Sequence, residues 1–87
     1  MNTLMICTTL PSARTVLDDL PEGDRTHAVI LVHEAVIATP EDLGMPRTGV
    51  FASAEDMKAL GCDSHWASVD AMAFVQMIAN AQQVYVR

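Results

Sequence analysis

An α/β fold, a three-layer sandwich with a mainly parallel sheet of about four strands flanked by helices, is what this sequence predicts. Three observations predict it. Short β-branched runs alternate with stretches of helical period. The run "HAVILV" (His27 to Val32) is apolar at nearly every position, as in a strand covered on both faces. The stretch "AMAFVQMIANA" is apolar almost all round, as in a helix buried between a sheet and something else.

The elements follow in order. "TLMIC" (Thr3 to Cys7) opens as strand one. Ser12 is placed to cap a helix whose Ala13, Val16, Leu17 and Leu20 share one face at i, i+3, i+4 and i+7. "PEGD" (Pro21 to Asp24) stops that helix, and "HAVILV" supplies strand two. A short helix is expected near Glu34 to Ala38, then a loop held by Pro40, Gly44 and Pro46. "TGVFA" (Thr48 to Ala52) reads as strand three. Ser53 starts "SAED", a capping-box-like signal, and Gly61 ends the helix behind it. "WASV" (Trp66 to Val69) reads as strand four. Asp70 caps the last helix, and "VYVR" (Val84 to Arg87) is a short final strand. Residues 1–87 fit one domain, with no repeat, linker or low-complexity segment.

Composition narrows the function. The chain carries a net charge of −6, with five Lys+Arg against eleven Asp+Glu. Lys58 is its only lysine and no basic run exists, which disfavours direct contact with a nucleic-acid backbone or an anionic membrane. No apolar run approaches a membrane span, and "MNTLMICTTL" lacks the basic start and long apolar core of a signal peptide, so a cytoplasmic protein is expected. Its two cysteines are expected as free thiols. A hydrophobic content of 51% is rich for a small domain and suggests a buried subunit interface, hence an oligomer.

Familiar chemistries leave little trace. His27, His33 and His65 form no metal-ligand spacing with the cysteines, so no metal is expected. The glycines are scattered, and no phosphate-binding loop or dinucleotide fingerprint follows strand one, so no cofactor is expected. The carboxylate pairs Asp18/Asp19, Glu41/Asp42 and Glu55/Asp56 are sequence neighbours that diverge on a helix, and their ordinary reading is solvated charge.

Cys7 and Cys62 remain as candidate catalytic residues. Only a thiolate is a good nucleophile, so local electrostatics decide. Cys62 follows a helix C-terminus and adjoins Asp63, and both favour the neutral thiol. Cys7 ends strand one ahead of a helix N-terminus, on the edge where open parallel sheets bind ligands. Each is equally a plain small hydrophobe. Met72, Phe74, Val75, Met77 and Ile78 read as core or interface packing.

The order of these pieces resembles a known family. "LDDLPEGDRTHAVILVHEAV" resembles the helix, "EGD" turn, apolar strand and following turn of the DsrH/TusB proteins. "VFASAEDMKALGC" and "VDAMAFVQMIANAQQV" resemble their next two segments, and "TLMICTTLP" sits where they have a first strand and turn. The resemblance covers nearly the whole chain and rests on shared order and spacing. It implies the DsrE/DsrF/DsrH-like, YchN-like superfamily: small cytoplasmic oligomers that pass persulfide sulfur between cysteines. The relay serves tRNA wobble-uridine thiolation in TusBCD-type complexes and sulfur oxidation in DsrEFH-type ones. The implied partners are DsrE/DsrF-type (TusC/TusD-type) subunits, or a second copy. The chain departs from the pattern at Val16, where such chains can carry a cysteine, at Ala35 in place of glycine, and at Leu60 in place of arginine. Cys62 stands where many members have leucine. The resemblance therefore implies an accessory subunit whose relay cysteine lies on a partner. The alternatives are a persulfide carrier using Cys7, and only after it Cys62, and a homo-oligomeric small-ligand or regulatory module.

Overall fold

Strands β1 (Thr3–Cys7), β2 (His27–Leu31), β3 (Gly49–Ser53), β4 (Ala67–Val69) and β5 (Gln83–Val86) form one sheet in the order β4-β3-β2-β1-β5. Every pairing is parallel. The structure is a computed structural model and describes residues 3–19, 27–44, 49–62 and 65–87. Among these the helices are α1 (Leu10–Asp19), α2 (Ala54–Leu60) and α3 (Ala71–Asn80), with a 3-10 turn at His33–Ile37. The sheet thus has five strands where about four were expected, because Gln83–Val86 pairs along β1 from Thr3↔Gln83 to Ile6↔Val86. The expected turn at Pro21 to Asp24, and Leu20, Pro46 and Thr48, lie outside the described residues.

The winding explains the layers. Strands β1 to β4 step in one direction, through α1, the 3-10 turn and α2. The chain then crosses back through α3 to place β5 beside β1. With right-handed crossovers, reversing direction moves the connection to the opposite face. Packing agrees. Ala13 and Val16 of α1 join Cys7, Val29, Leu31 and Val50 in one apolar cluster. Ala73, Phe74 and Met77 of α3 cover the other cluster, around Leu4, Ile6, Ala28 and Ile30. Leu4, Ile30 and Leu31 are fully buried, each stabilising the fold by about 1.5–3 kcal/mol.

The helix ends show local chemistry at work. The first helix begins at Leu10, not after Ser12 as the spacing suggests. Thr9 does the capping: its hydroxyl accepts from the Ser12 N–H at 3.2 Å, and its carbonyl accepts from Ala13 at 3.1 Å. Pro11 fits inside this first turn, where an N–H would have no partner anyway. Ser53 caps α2 by accepting from Asp56 N–H, and Asp70 caps α3 by accepting from Ala73 N–H at 2.8 Å. Thr39 and Asp42 form a reciprocal box, each side chain accepting from the other's N–H at 3.0 and 3.1 Å. Trp66 donates its indole N–H to the Ala38 carbonyl at 2.9 Å, tying the entry of β4 to the end of the 3-10 turn.

Helix α3 is loosely covered. It was expected to be buried on most sides, yet none of its residues is buried. Met72 is 71% and Val75 64% exposed. Ten residues is short for a self-sustaining helix, and tertiary contact must hold it. Among the described residues that contact comes from the sheet side. No helix among the described residues is long and apolar enough to cross a membrane.

Gly61 occupies the left-handed region at φ 64°, with open space where a Cβ would stand. Replacing it by alanine therefore tests backbone strain alone. Gly61→Ala is expected to cost about 1–2 kcal/mol in a urea unfolding curve, and Gly61→Asn less, because asparagine tolerates this conformation.

Candidate functional site

The reversal of winding creates a crevice. The chain leaves β3 toward α2 on one face and leaves the adjacent β4 toward α3 on the other. Open parallel sheets bind their ligands at such a switch point, beyond the carboxyl ends of the strands. A cleft of about 430 Å³ opens along that carboxyl edge, from Asp70 after β4, past Ser53 and Val32, to Ile6 of β1 and Val86 of β5. Its apolar lining is Ile6, Val32, Phe74, Val75 and Val86. Glu55, Asp56 and Asp70 stand around it with His33, Ser53 and Thr8. No lysine or arginine is among its described lining residues.

Two of the carboxylates hold the cleft in shape. His33 has φ 51°, the one left-handed non-glycine among the described residues. That conformation costs about 1–2 kcal/mol in a side-chain-bearing residue. Asp56 offsets it, since its Oδ2 accepts from the His33 N–H at 2.9 Å, a bond to a charged group. Asp56 also donates its own N–H to Ser53 Oγ, so one residue joins the end of β2 to the start of α2. Asp70 is occupied by the cap of α3. The Glu55 side chain is exposed and makes no hydrogen bond or ion pair among the described residues. The cleft therefore keeps one uncommitted carboxylate over an apolar floor. Its geometry suits binding, since Ser53 Oγ serves as a cap and no cysteine lines the cleft. Among the described residues no cluster of three His, Cys, Asp or Glu could hold a metal.

The two cysteines lie elsewhere. Cys7 is fully buried in the cluster beneath α1, on the opposite face of the sheet from α3. Burial pushes its thiol up from 9.0 to about 11, against a small opposing pull from the Arg87 charge. Cys62 takes part in the stop of α2. The Gly61 N–H donates to the Lys58 carbonyl and the Cys62 N–H to the Met57 carbonyl, at 3.2 and 3.1 Å, the paired bonds of a Schellman stop. Met57 and Cys62 both pack against the α1-side cluster, so Cys62 supplies the apolar residue that such a stop uses. His65 is exposed. Asp42 is held below the usual carboxylate range by its bonds from Thr39.

Of the residues singled out in the sequence, Glu55, Asp56 and Asp70 converge, with His33. In sequence the three acids are a cap and a pair of solvated charges. The signal available was Ser53 and Asp70 as caps opening two consecutive crossovers. Their meeting depends on β3 and β4 being neighbours with oppositely directed exits.

Cys7 gives a pH test. The folded thiol keeps its proton to about 11, while an unfolded one releases it near 9.0. Its contribution is complete below pH 9.0 and is lost as pH rises toward about 11. Unfolding free energy measured across that window is expected to fall more steeply in the wild type than in Cys7→Ala. Parallel curves would show that the buried thiol is not the group responsible.

Compared with family models, with curated proteins and with solved structures, the chain matches none.

Proposed function

We propose that the chain is an accessory, noncatalytic subunit of a cytoplasmic sulfur-relay complex of the DsrEFH/TusBCD type. Such a complex is linked to tRNA wobble-uridine thiolation or to sulfur oxidation. The chain would bury surface against DsrE/DsrF-type subunits and help shape the site around their relay cysteine. One paired observation carries the reading: Cys7 is sealed and keeps its proton, while the apolar outer side of α3 and β5 is uncovered. A relay thiol must ionise and reach a partner's sulfur, and burial opposes both for Cys7. An uncovered face bearing Met72, Val75, Ile78 and Val86 is what a subunit presents to its neighbour. The α/β architecture and the order of sequence segments support the same assignment.

A second reading, a persulfide-carrying sulfurtransferase, rests on Cys62. Cys62 is only partly buried and stands at the end of α2, the more reachable of the two thiols.

Intact mass after incubation of the reduced protein with a persulfide donor separates them. The expected result is no retained sulfur, with Cys7→Ser and Cys62→Ser still binding DsrE/DsrF-type subunits. One added sulfur atom that disappears in a single variant would assign a carrier cysteine and replace the accessory reading.

A further inference from the structure

The cleft and the uncovered apolar face are continuous. Val75 and Val86 line the cleft, and they are 64% and 61% exposed on the outer side of α3 and β5. Parallel register places Val84 and Val86 beside Leu4 and Ile6, on the α3 side of the sheet. The apolar strip therefore runs from Met72 and Ile78 of α3 and from β5 into the cleft, where it meets Glu55, Asp56 and Asp70. A small ligand filling the cleft would leave Met72, Ile78 and Val84 in water. A macromolecule would cover both parts.

Charge selects which macromolecule. The three carboxylates bring about −3, and the N-termini of α2 and α3 return at most about +0.5 each. Even with His33 protonated, the sum stays near −1 by the same reckoning. A second copy meeting this face through a two-fold axis would set the same carboxylates against themselves. The chain's net charge of −6 adds to that repulsion. Like charges brought together at an interface disfavour that pairing, whereas opposite charges steer the partner in.

We infer that the α3–β5 face and its cleft form one docking surface for a partner protein that presents an apolar segment flanked by lysine or arginine, and not for a second copy of this chain. The inference deepens the subunit reading by naming the partner's chemistry. It rests on that reading only in requiring a partner, not in requiring sulfur transfer. An apolar side chain of the partner fills the space over Ile6, Val32 and Phe74. Its cationic neighbour pairs with Glu55, the carboxylate that no other described group occupies.

The test uses the whole chain, isotope-labelled, and two short blocked peptides. One alternates lysine with leucine, the other glutamate with leucine. Amide shifts are followed on titration, and the oligomeric state is measured by sedimentation. The expected result is a monomer whose Asp56, Phe74, Val75 and Val86 signals move with the lysine peptide. That peptide should bind about tenfold more tightly than its twin and weaken as salt rises. Glu55→Lys, at an exposed and unpartnered position, should reverse the preference while leaving the spectrum folded. Equal affinity for the two peptides, no binding of the lysine peptide at millimolar concentration, or shifts centred on Asp18, Asp19 and Glu41 would each overturn the inference. So would self-association that Val75→Asp abolishes, since a second copy would then be the occupant. The persulfide experiment reads sulfur transfer alone, so either result can fail without the other.

Discussion

Strand β2 has no side that can face water. Ala28, Val29, Ile30 and Leu31 are all buried, so both faces of the sheet must be covered. Much of the architecture follows from that demand. The first three connections move one way and cover one face, with α1, the 3-10 turn and α2. Among the described elements only α3 covers the other, and it reaches that face because the chain reverses direction. A single helix shields Leu4, Ile6 and Ile30, and no other described element lies behind it. The uncovered side of α3, the bare edge at β5 and the crevice between β3 and β4 are three results of one shortage of cover.

Much of the fold was legible in the sequence because it was written locally. The apolar runs of β1 and β2, the caps at Ser53 and Asp70 and the stop at Gly61 each depend on residues within a turn or two. The misplaced start of α1 was local as well, but two caps competed there. Thr9 wins because Pro11 is harmless in a first turn, while Ser12 serves as the residue whose N–H is capped. The fifth strand was legible as a segment, while its place beside β1 was not. Pairing between Thr3 and Gln83 is decided by the route of the whole chain.

The candidate site was the least legible part, for the same reason. Rules about the carboxyl edge of a sheet directed attention to Cys7, at the end of β1. The switch point falls instead between β3 and β4, and locating it requires the strand order. Side-chain alternation then decides the matter for Cys7. Odd positions of β1 face α1 and even positions face α3, so Cys7 turns away from the cleft that Ile6 lines. A composition rich in apolar residues did point to an unsatisfied surface, because a sheet this small cannot bury so many of them by itself.

The pairing of β5 with β1 also carries a consequence for how the molecule is made. Thr8 donates to the carbonyl of Arg87, and Arg87 donates back to Ile6, across 79 positions of chain in the first case. Contacts so distant in sequence form late, because a long loop must close before they contribute. During synthesis, the outer edge of β1 stays open until β5 leaves the ribosome. That edge belongs to one of the most apolar strands of the protein, and an open apolar edge is a template for pairing with the wrong chain. The four residues of β5 therefore determine how long the nascent sheet is exposed to misassembly.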